Sequence, residues 1–561
     1  MEVGLVDWTG GFLTGERFGG GVDVSGTALG WKQTWLVEAV PEGPKGACPR
    51  RWWAWLRGPG SRPLVAEACG AVRTLLPVPS SWEEEEGAAA AEGTLWAVEA
   101  HASGAWSLRE AVAGEDGAGG RYLESDGEDV LCVSSGRREG APSPRGLWLP
   151  RLAGPPLACL FHPRRGRFAR ADPELGRVWA DAGGGGEGEA EGAATATAAE
   201  LDAGCGFLLR RGKGGACVHL EAAGRRFLSG QGRLLPGPPS AQTALLLRLR
   251  PGGGVALAGP DGRPLFPQGP RGLLRPAEPP QAEEEEGEGE REEAEWFQVR
   301  RLPTRVALRS PAAQRFLSVL RGGDVYAGSR SASPLGSFLL EAGLDGDTLR
   351  LRGPHHKYLA QRVSGAVRAD GEARDPATLF RALWLCGTLF LRAPDGRFLG
   401  TGPQGRVRAT ATEPGPSEEF WLRLADRPFV VLRGARGFVG SRRRGSPPSP
   451  SPSSSPSPSS SWCDRERGLL LPLRGDRLEP DVVELLPCAR GVYHLRSRGK
   501  GFWGVGGEGR LFCGGRAALN FCLELRGPHR LALLAPNGLY VRGDHRGALR
   551  ADAHHPQHWD F

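Results

Sequence analysis

No apolar run in these 561 residues approaches the ~20 residues a membrane-spanning helix needs. The N-terminus, Met1 to Trp8, has no basic segment leading into an apolar stretch, so a secreted product is not expected. No sustained helical periodicity appears either. The 11 cysteines include no CxxC pair and no Cys/His spacing of a zinc site. Odd in number and scattered, they point to reduced thiols in the cytosol, with Cys159, Cys386 and Cys522 expected as small apolar core residues. No GxSxG, HExxH, P-loop or paired-carboxylate context is present, so neither enzyme chemistry nor a cofactor is expected. The pairs His355-His356 and His554-His555 lack a third ligand. Adjacent strand residues also face opposite sides, so these read as surface histidines and not a metal site. No aromatic-and-basic stripe suggests nucleic-acid binding.

What is abundant is turn chemistry: 86 Gly and 47 Pro, alongside 40% hydrophobic residues. Many short strands with dense turn signals indicate an all-β protein. A net charge of +7 favours an acidic partner without naming one.

The chain is organised around Leu389 to Leu422, LFLRAPDGRFLGTGPQGRVRATATEPGPSEEFWL. Leu389 to Arg392 reads as a strand, and Pro394-Asp395-Gly396 as a turn. Arg397-Phe398-Leu399 is the return strand, Val407 and Ala409 lie on a third, and Phe420 and Leu422 on a fourth. Such a unit cannot bury its apolar face alone and needs copies. The "L-R…G-R-F-L…G-x-V-x-A" phrase recurs at Val306–Ala327, Leu349–Ala369, Val430–Gly440, Val492–Phe512 and Leu531–Ala551. Weaker copies are Val3–Val24, Trp53–Val72, Trp106–Cys132, Leu157–Ala180, Val218–Leu234 and Val255–Leu274. An aromatic recurs near the second strand, at Phe12, Tyr122, Phe168, Phe227, Phe316, Tyr358, Phe398, Phe438, Phe502 and Tyr540. These residues are expected to fill a shared core.

About twelve copies grouped in threes fit the β-trefoil, a six-stranded barrel capped by three hairpins. Four tandem β-trefoil domains result, each from three four-strand repeats: 1–153, 154–301, 302–425 and 426–561. Four stretches interrupt them: Glu83 to Ala91, residues 183–200, residues 279–294 and the Ser/Pro-rich 446–461. Their composition reads as disordered loop expansion, and the Ser-Pro run after Arg442-Arg443-Arg444 also suits phosphorylation or SH3-type contacts.

Gly504-Val505-Gly506-Gly507-Glu508-Gly509 matches GxGxxG, but Leu511-Phe512-Cys513 follows as a strand where a dinucleotide site needs a helix. A glycine-rich hairpin turn is expected. Gln33-Thr34-Trp35 and Gln557-His558-Trp559 match the QxW signature of trefoil lectins. The Trp of QxW packs in the trefoil core, so it reports fold, and no sugar-binding constellation recurs beside it.

The stretches Val3-Gly4-Leu5, Phe12-Leu13-Thr14, Lys32-Gln33-Thr34-Trp35, Arg427 to Gly434, Gly437 to Gly440, Tyr540, Gly543-Asp544-His545 and Trp559-Asp560-Phe561 together resemble the fascins, four-trefoil actin-bundling proteins. The likeness covers essentially the whole chain outside the insertions. Arg121 to Ser125, Ala169 to Pro173, Leu485 to Cys488, Ala518 to Cys522 and Leu534 to Gly538 resemble the testis branch of that family. The resemblance implies a monomeric cytoplasmic protein of actin bundles, with filamentous actin as partner and a role in developing sperm cells. It also implies an actin site where the first and fourth trefoils meet, including a lysine run preceded by a phosphorylatable serine. Here Ala28 stands at that serine, Gly30 and Trp31 replace lysines, and Lys32 remains. On the same implication, Arg436, Lys500, His545, Arg546 and Arg550 are candidate actin contacts. The alternatives are a fascin-like scaffold without bundling, or a trefoil carbohydrate-binding module.

Overall fold

The organising phrase folds as its residues dictate. Thr388–Arg392 is the first strand, and the turn after it is set by Gly396 at φ +88° and by Asp395 Oδ1, which accepts from the Arg397 amide at 2.9 Å. Phe398–Thr401, Val407–Ala411 and Trp421–Ala425 are the other three strands. The computed structural model describes the whole chain except residues 17–18, 28, 41–50, 60, 68, 76–94, 102, 111–119, 134–141, 155, 183–202, 213–216, 251–252, 279–294, 344–347, 426, 435, 442–470, 478–479 and 489–490. Ala28, Arg442 to Arg444 and the four interrupting stretches therefore lie outside the described residues.

Three copies close into a barrel. In the third set, Arg305–Ser310 pairs with Phe338–Ala342, which pairs with Thr348–Arg352, then Phe380–Leu385, then Thr388–Arg392. A Leu389↔Phe420 bridge leads to Trp421–Ala425, which returns to Arg305–Ser310 with Val306 opposite Leu424. The same first-to-last closure recurs elsewhere: Val3↔Leu152, Leu160↔Val299 and Arg433↔Asp560. Each closed set is a β-trefoil, and closure removes the open edges that short antiparallel strands otherwise expose.

The G-x-V-x-A phrase closes the cap. Gly323, Gly365 and Gly405 have φ of +88°, +74° and +79°. Each lies on the Ala carbonyl of another repeat, and the three contacts run in a ring. A Cβ on Gly323 would stand 3.3 Å from Ala369 O, on Gly365 2.9 Å from Ala409 O, and on Gly405 2.5 Å from Ala327 O. Glycine is required at this step because the positive φ and the close approach both exclude a side chain.

The core lies one residue away from the aromatics singled out in the sequence. Leu317, Leu359, Leu399, Val439 and Val541 belong to the core cluster, whereas Phe316, Tyr358, Phe398, Phe438 and Tyr540 do not. Phe12, Phe502 and Tyr540 are only half-buried. Tyr122, Phe168, Phe227, Phe316, Tyr358, Phe398 and Phe438 are buried as expected, but neighbours on a strand face opposite sides, so they pack on the face away from the barrel core, several of them beneath an Arg of the partner strand. Arg309 lies 6.0 Å from Phe316, Arg392 6.0 Å from Phe398, Arg433 5.7 Å from Phe438 and Arg496 5.8 Å from Phe502. Each such pair contributes about 0.5–1 kcal/mol, less than the ~1.5–3 kcal/mol of a buried Leu. The "L-R" and "R-F-L" of the phrase are thus a core Leu on each strand beside a cross-strand Arg–aromatic cover.

The central core is filled from the start of the fourth strand of each repeat. Trp35, Trp96 and Trp148 are fully buried in the first trefoil, as are Phe338, Phe380 and Phe420 in the third. The three indoles donate to second-strand carbonyls: Trp35 Nε1 to Leu13 O at 2.8 Å, Trp96 to Leu64 O at 3.0 Å and Trp148 to Leu123 O at 3.0 Å. Trp559 does the same to Val541 O at 3.3 Å. Both QxW tryptophans therefore sit in the core.

The chain divides into two units, Met1–Leu302 and Pro303–Phe561, each holding two trefoils. Within the first, Trp106 Nε1 donates to Leu249 O at 3.1 Å, tying trefoil one to trefoil two. Within the second, Trp384 Nε1 donates to Leu525 O at 3.0 Å, tying three to four. No helix among the described residues is long and apolar enough to cross a membrane.

Candidate functional site

The last hairpin, Tyr540–Gly543 with Leu549–Ala553, turns through Asp544-His545-Arg546-Gly547. The Asp544 carboxylate is buried and organises the turn. Its Oδ1 accepts from Arg546 N at 2.9 Å and Ala548 N at 2.8 Å, and its Oδ2 faces Arg550 Nε at 3.4 Å. Burial alone raises its pKa, but the two amides and Arg550 outweigh that and hold it below the usual carboxylate range. With Asp544 turned inward, His545 and Arg546 are exposed at the tip.

Two arginines from other repeats brace that tip through its carbonyls. Arg436 Nη1 donates to His545 O, and Arg474 Nη2 donates to Arg546 O. On the adjoining hairpin, Glu508 stands 3.4 Å from Arg510 and 3.7 Å from Arg550. Arg550 thus pairs with Asp544 and Glu508 and Arg510 with Glu508, while Arg436 and Arg474 donate to the loop carbonyls; with exposed Arg546, the described residues of this loop and its braces carry five arginines to two carboxylates, a basic surface.

Of the expected residues, the structure brings Arg436, His545, Arg546 and Arg550 together around this loop. Lys500 belongs to a different cluster. Its Nζ donates to Asp481 Oδ1 at 2.6 Å, to Ser441 Oγ at 2.9 Å and to Ser441 O at 3.3 Å, engaging all three of its protons. Lys32 lies in the other unit, on the single turn Trp31–Gln33. Its Nζ is 2.8 Å from both Glu16 carboxylate oxygens, and its side chain is 37% exposed. Arg474 and Arg510 are members of the basic loop cluster that the sequence reading missed. Arg510 follows the cap glycine Gly509, at the x of G-x-V, whereas Arg474 stands at the x of V-x-A, before Gly475, whose amide donates to Gly547 O at 2.8 Å as Ala369 and Ala409 donate to their cap glycines.

Three other features resolve here. Gly504 to Gly509 form a strand end and a tight turn before the strand Leu511–Gly515, and a Cβ on Gly504 would stand 2.4 Å from the Phe512 ring, so glycine is needed there for the fold's own packing. His355, His356, His554 and His555 are all exposed. Among the expected core cysteines, Cys159 is buried and Cys522 half-buried, but Cys386 is exposed, because it sits in a hairpin turn where no strand alternation directs a side chain inward.

Comparison with known proteins finds the fascin domain at residues 312–422. Fascin-3 of Mus musculus is 36% identical over 553 residues, spanning 99% of this chain and 95% of that protein. Fascin-3 of Homo sapiens is 35% identical with the same coverage. Fascin-2 of Bos taurus is 27% identical over 563 residues, spanning 99% of this chain and 96% of that protein.

Proposed function

The chain belongs to the fascin family, and from that premise we propose that it binds actin filaments and crosslinks them into bundles. The observation that carries this reading is similarity through 99% of the chain, so that no trefoil of the relatives is missing. Bundling needs two filament contacts on one body, the second gaining from effective concentration once the first is made. Actin filaments are acidic, and exposed arginines steer and hold an acidic surface in a salt-dependent way.

The basic loop at 544–547 is our candidate contact. His545 and Arg546 project from a turn that Asp544, Arg436 and Arg474 fix in place. Lys32 and Arg550 engage a filament by exchanging Glu16 or Glu508 for an actin carboxylate, so their net gain is small. Lys500 acts mainly by holding Asp481 and Ser441, which supports the hairpins beneath the loop. In this reading the protein is a non-enzymatic, monomeric component of cytoplasmic actin bundles, and the likeness to the testis branch supports a role in developing sperm cells. Its partner is filamentous actin; no cofactor, nucleic acid or membrane insertion is involved.

Co-sedimentation with filamentous actin at low and high speed across a salt series tests this. Low-speed pelleting that fades with salt is expected. Pelleting only at high speed marks a single site and a decorating scaffold, a reading favoured by the engagement of Lys32 with Glu16. Pelleting at neither speed overturns the proposal.

A further inference from the structure

Strands Phe380–Leu385 and Thr388–Arg392 are joined by a two-residue turn, Cys386-Gly387. Both residues have positive φ, +50° and +80°. These are the signs of a type I′ hairpin turn, whose first position normally takes Asn, Asp or Gly. A cysteine there crowds its own Cβ against the backbone. The hairpin tip belongs to the third trefoil but rests on the fourth: Trp384 donates to Leu525 O, and Gly387 N donates to Glu524 Oε1 at 3.2 Å. Gly387 packs directly on Cys522, and a Cβ built on it would stand 2.6 Å from both Cβ and Sγ of Cys522. An exposed thiol in an unfavourable backbone conformation thus adjoins a glycine that touches a second thiol across a trefoil boundary. Burial chiefly, then Glu524 and the nearby Cys386, push the Cys522 thiol pKa up.

We propose that Cys386 and Cys522 are a redox-responsive pair whose disulfide, formed by exchange with a small disulfide such as oxidised glutathione, fastens the third trefoil to the fourth. Exposed Cys386, as thiolate, attacks one sulfur of oxidised glutathione. That S–S bond breaks, a mixed disulfide forms, and one glutathione thiolate leaves. The Cys522 thiolate then attacks the Cys386 sulfur, forms the protein disulfide and releases the second glutathione. The two protein thiols lose two electrons and two protons, and one glutathione disulfide becomes two glutathione thiols. Cys386 acts first because it is exposed, whereas Cys522 is half-buried. The unfavourable φ at Cys386 persists because the thiol must stand at the tip that reaches the neighbour.

The full-length protein, incubated with oxidised glutathione, is digested without reduction and mapped by mass spectrometry. A peptide pair joining Cys386 to Cys522, released by dithiothreitol, is expected, together with an upward shift of the thermal transition that the third and fourth trefoils contribute on oxidation. The Cys386→Gly variant folds readily, since glycine prefers this φ, and should show neither. Glutathione left on Cys386 with Cys522 still open to alkylation overturns the proposal. So does a crosslink that spreads over other cysteines, or an equal thermal rise in Cys386→Gly.

Discussion

Gly402 and Gly405 lie in one turn, three residues apart, and the same substitution should move stability in opposite directions at the two sites. Gly405 has φ +79°, and an added Cβ meets the Ala327 carbonyl oxygen at 2.5 Å. The left-handed conformation costs a non-glycine residue about 1–2 kcal/mol. The overlap is with backbone, which cannot swing aside, and forcing it costs about 1–3 kcal/mol more. Gly405→Ala should therefore lose about 2–5 kcal/mol. Gly402 has φ −80°, and its nearest contact for a new Cβ is Arg406 O at 3.5 Å. Alanine fits there and narrows the unfolded ensemble, so Gly402→Ala should gain about 0.4–1 kcal/mol. Several trefoils in one chain preclude a single unfolding transition. Native-state hydrogen exchange is the suitable assay, read at the Ala369 and Ala409 amides that donate to Gly323 O and Gly365 O in the same ring. Gly405→Ala should collapse protection at both, although neither amide touches residue 405. If the two variants exchange alike, or if loss stays local to 405, the cyclic closure does not hold the cap together.

Trp35→Phe keeps the core nearly filled but removes the donor to Leu13 O, and should cost the first trefoil about 1–3 kcal/mol of protection in native-state hydrogen exchange. Arg436→Glu with Arg546→Glu should weaken filament binding about thirtyfold at low salt, from about 1 kcal/mol per reversed charge, and the difference should shrink as salt rises; unchanged pelleting removes the loop from the interface. Tyr493 and Tyr540 are both pushed up to about 12, by burial and, for Tyr540, by Glu524 as well. Their folded pKa values exceed the ~10 of an unfolded tyrosine, so the fold favours the protonated phenol. Stability should be intact below pH ~10 and fall as pH rises from ~10 toward ~12, and Tyr540→Phe should flatten part of that fall in a melting series.

Strand order and turn positions were readable because apolar alternation, Pro-Asp-Gly and cap glycines are local signals. Alternation says that one of Phe398 and Leu399 faces inward, but not which. Size favours the phenylalanine, but the structure puts the leucine in the barrel core and buries the phenylalanine on the other face, opposite Arg392. The QxW tryptophans were legible because their role is internal to one repeat. Arg474 and Arg510 were not, since their meaning depends on a loop from another repeat. Cys386 was misread because a turn residue has no inward side. Lys500 was legible as a cation, but its engagement with Asp481 depends on two connecting segments that sequence alone does not bring together.

The Leu249 and Leu525 carbonyls occupy matching places, each four residues beyond a core position, Leu245 and Phe521. Both receive an indole from the same hairpin of the preceding trefoil, yet from opposite limbs: Trp106 opens the outgoing strand, while Trp384 lies near the end of the incoming one. What the two halves share is therefore the acceptor. The donor was found twice, at different places, which means a sequence alignment of one half on the other will set these tryptophans out of register even where the architecture superposes. Homology between the halves is better traced through the carbonyls that must be satisfied than through the side chains that satisfy them.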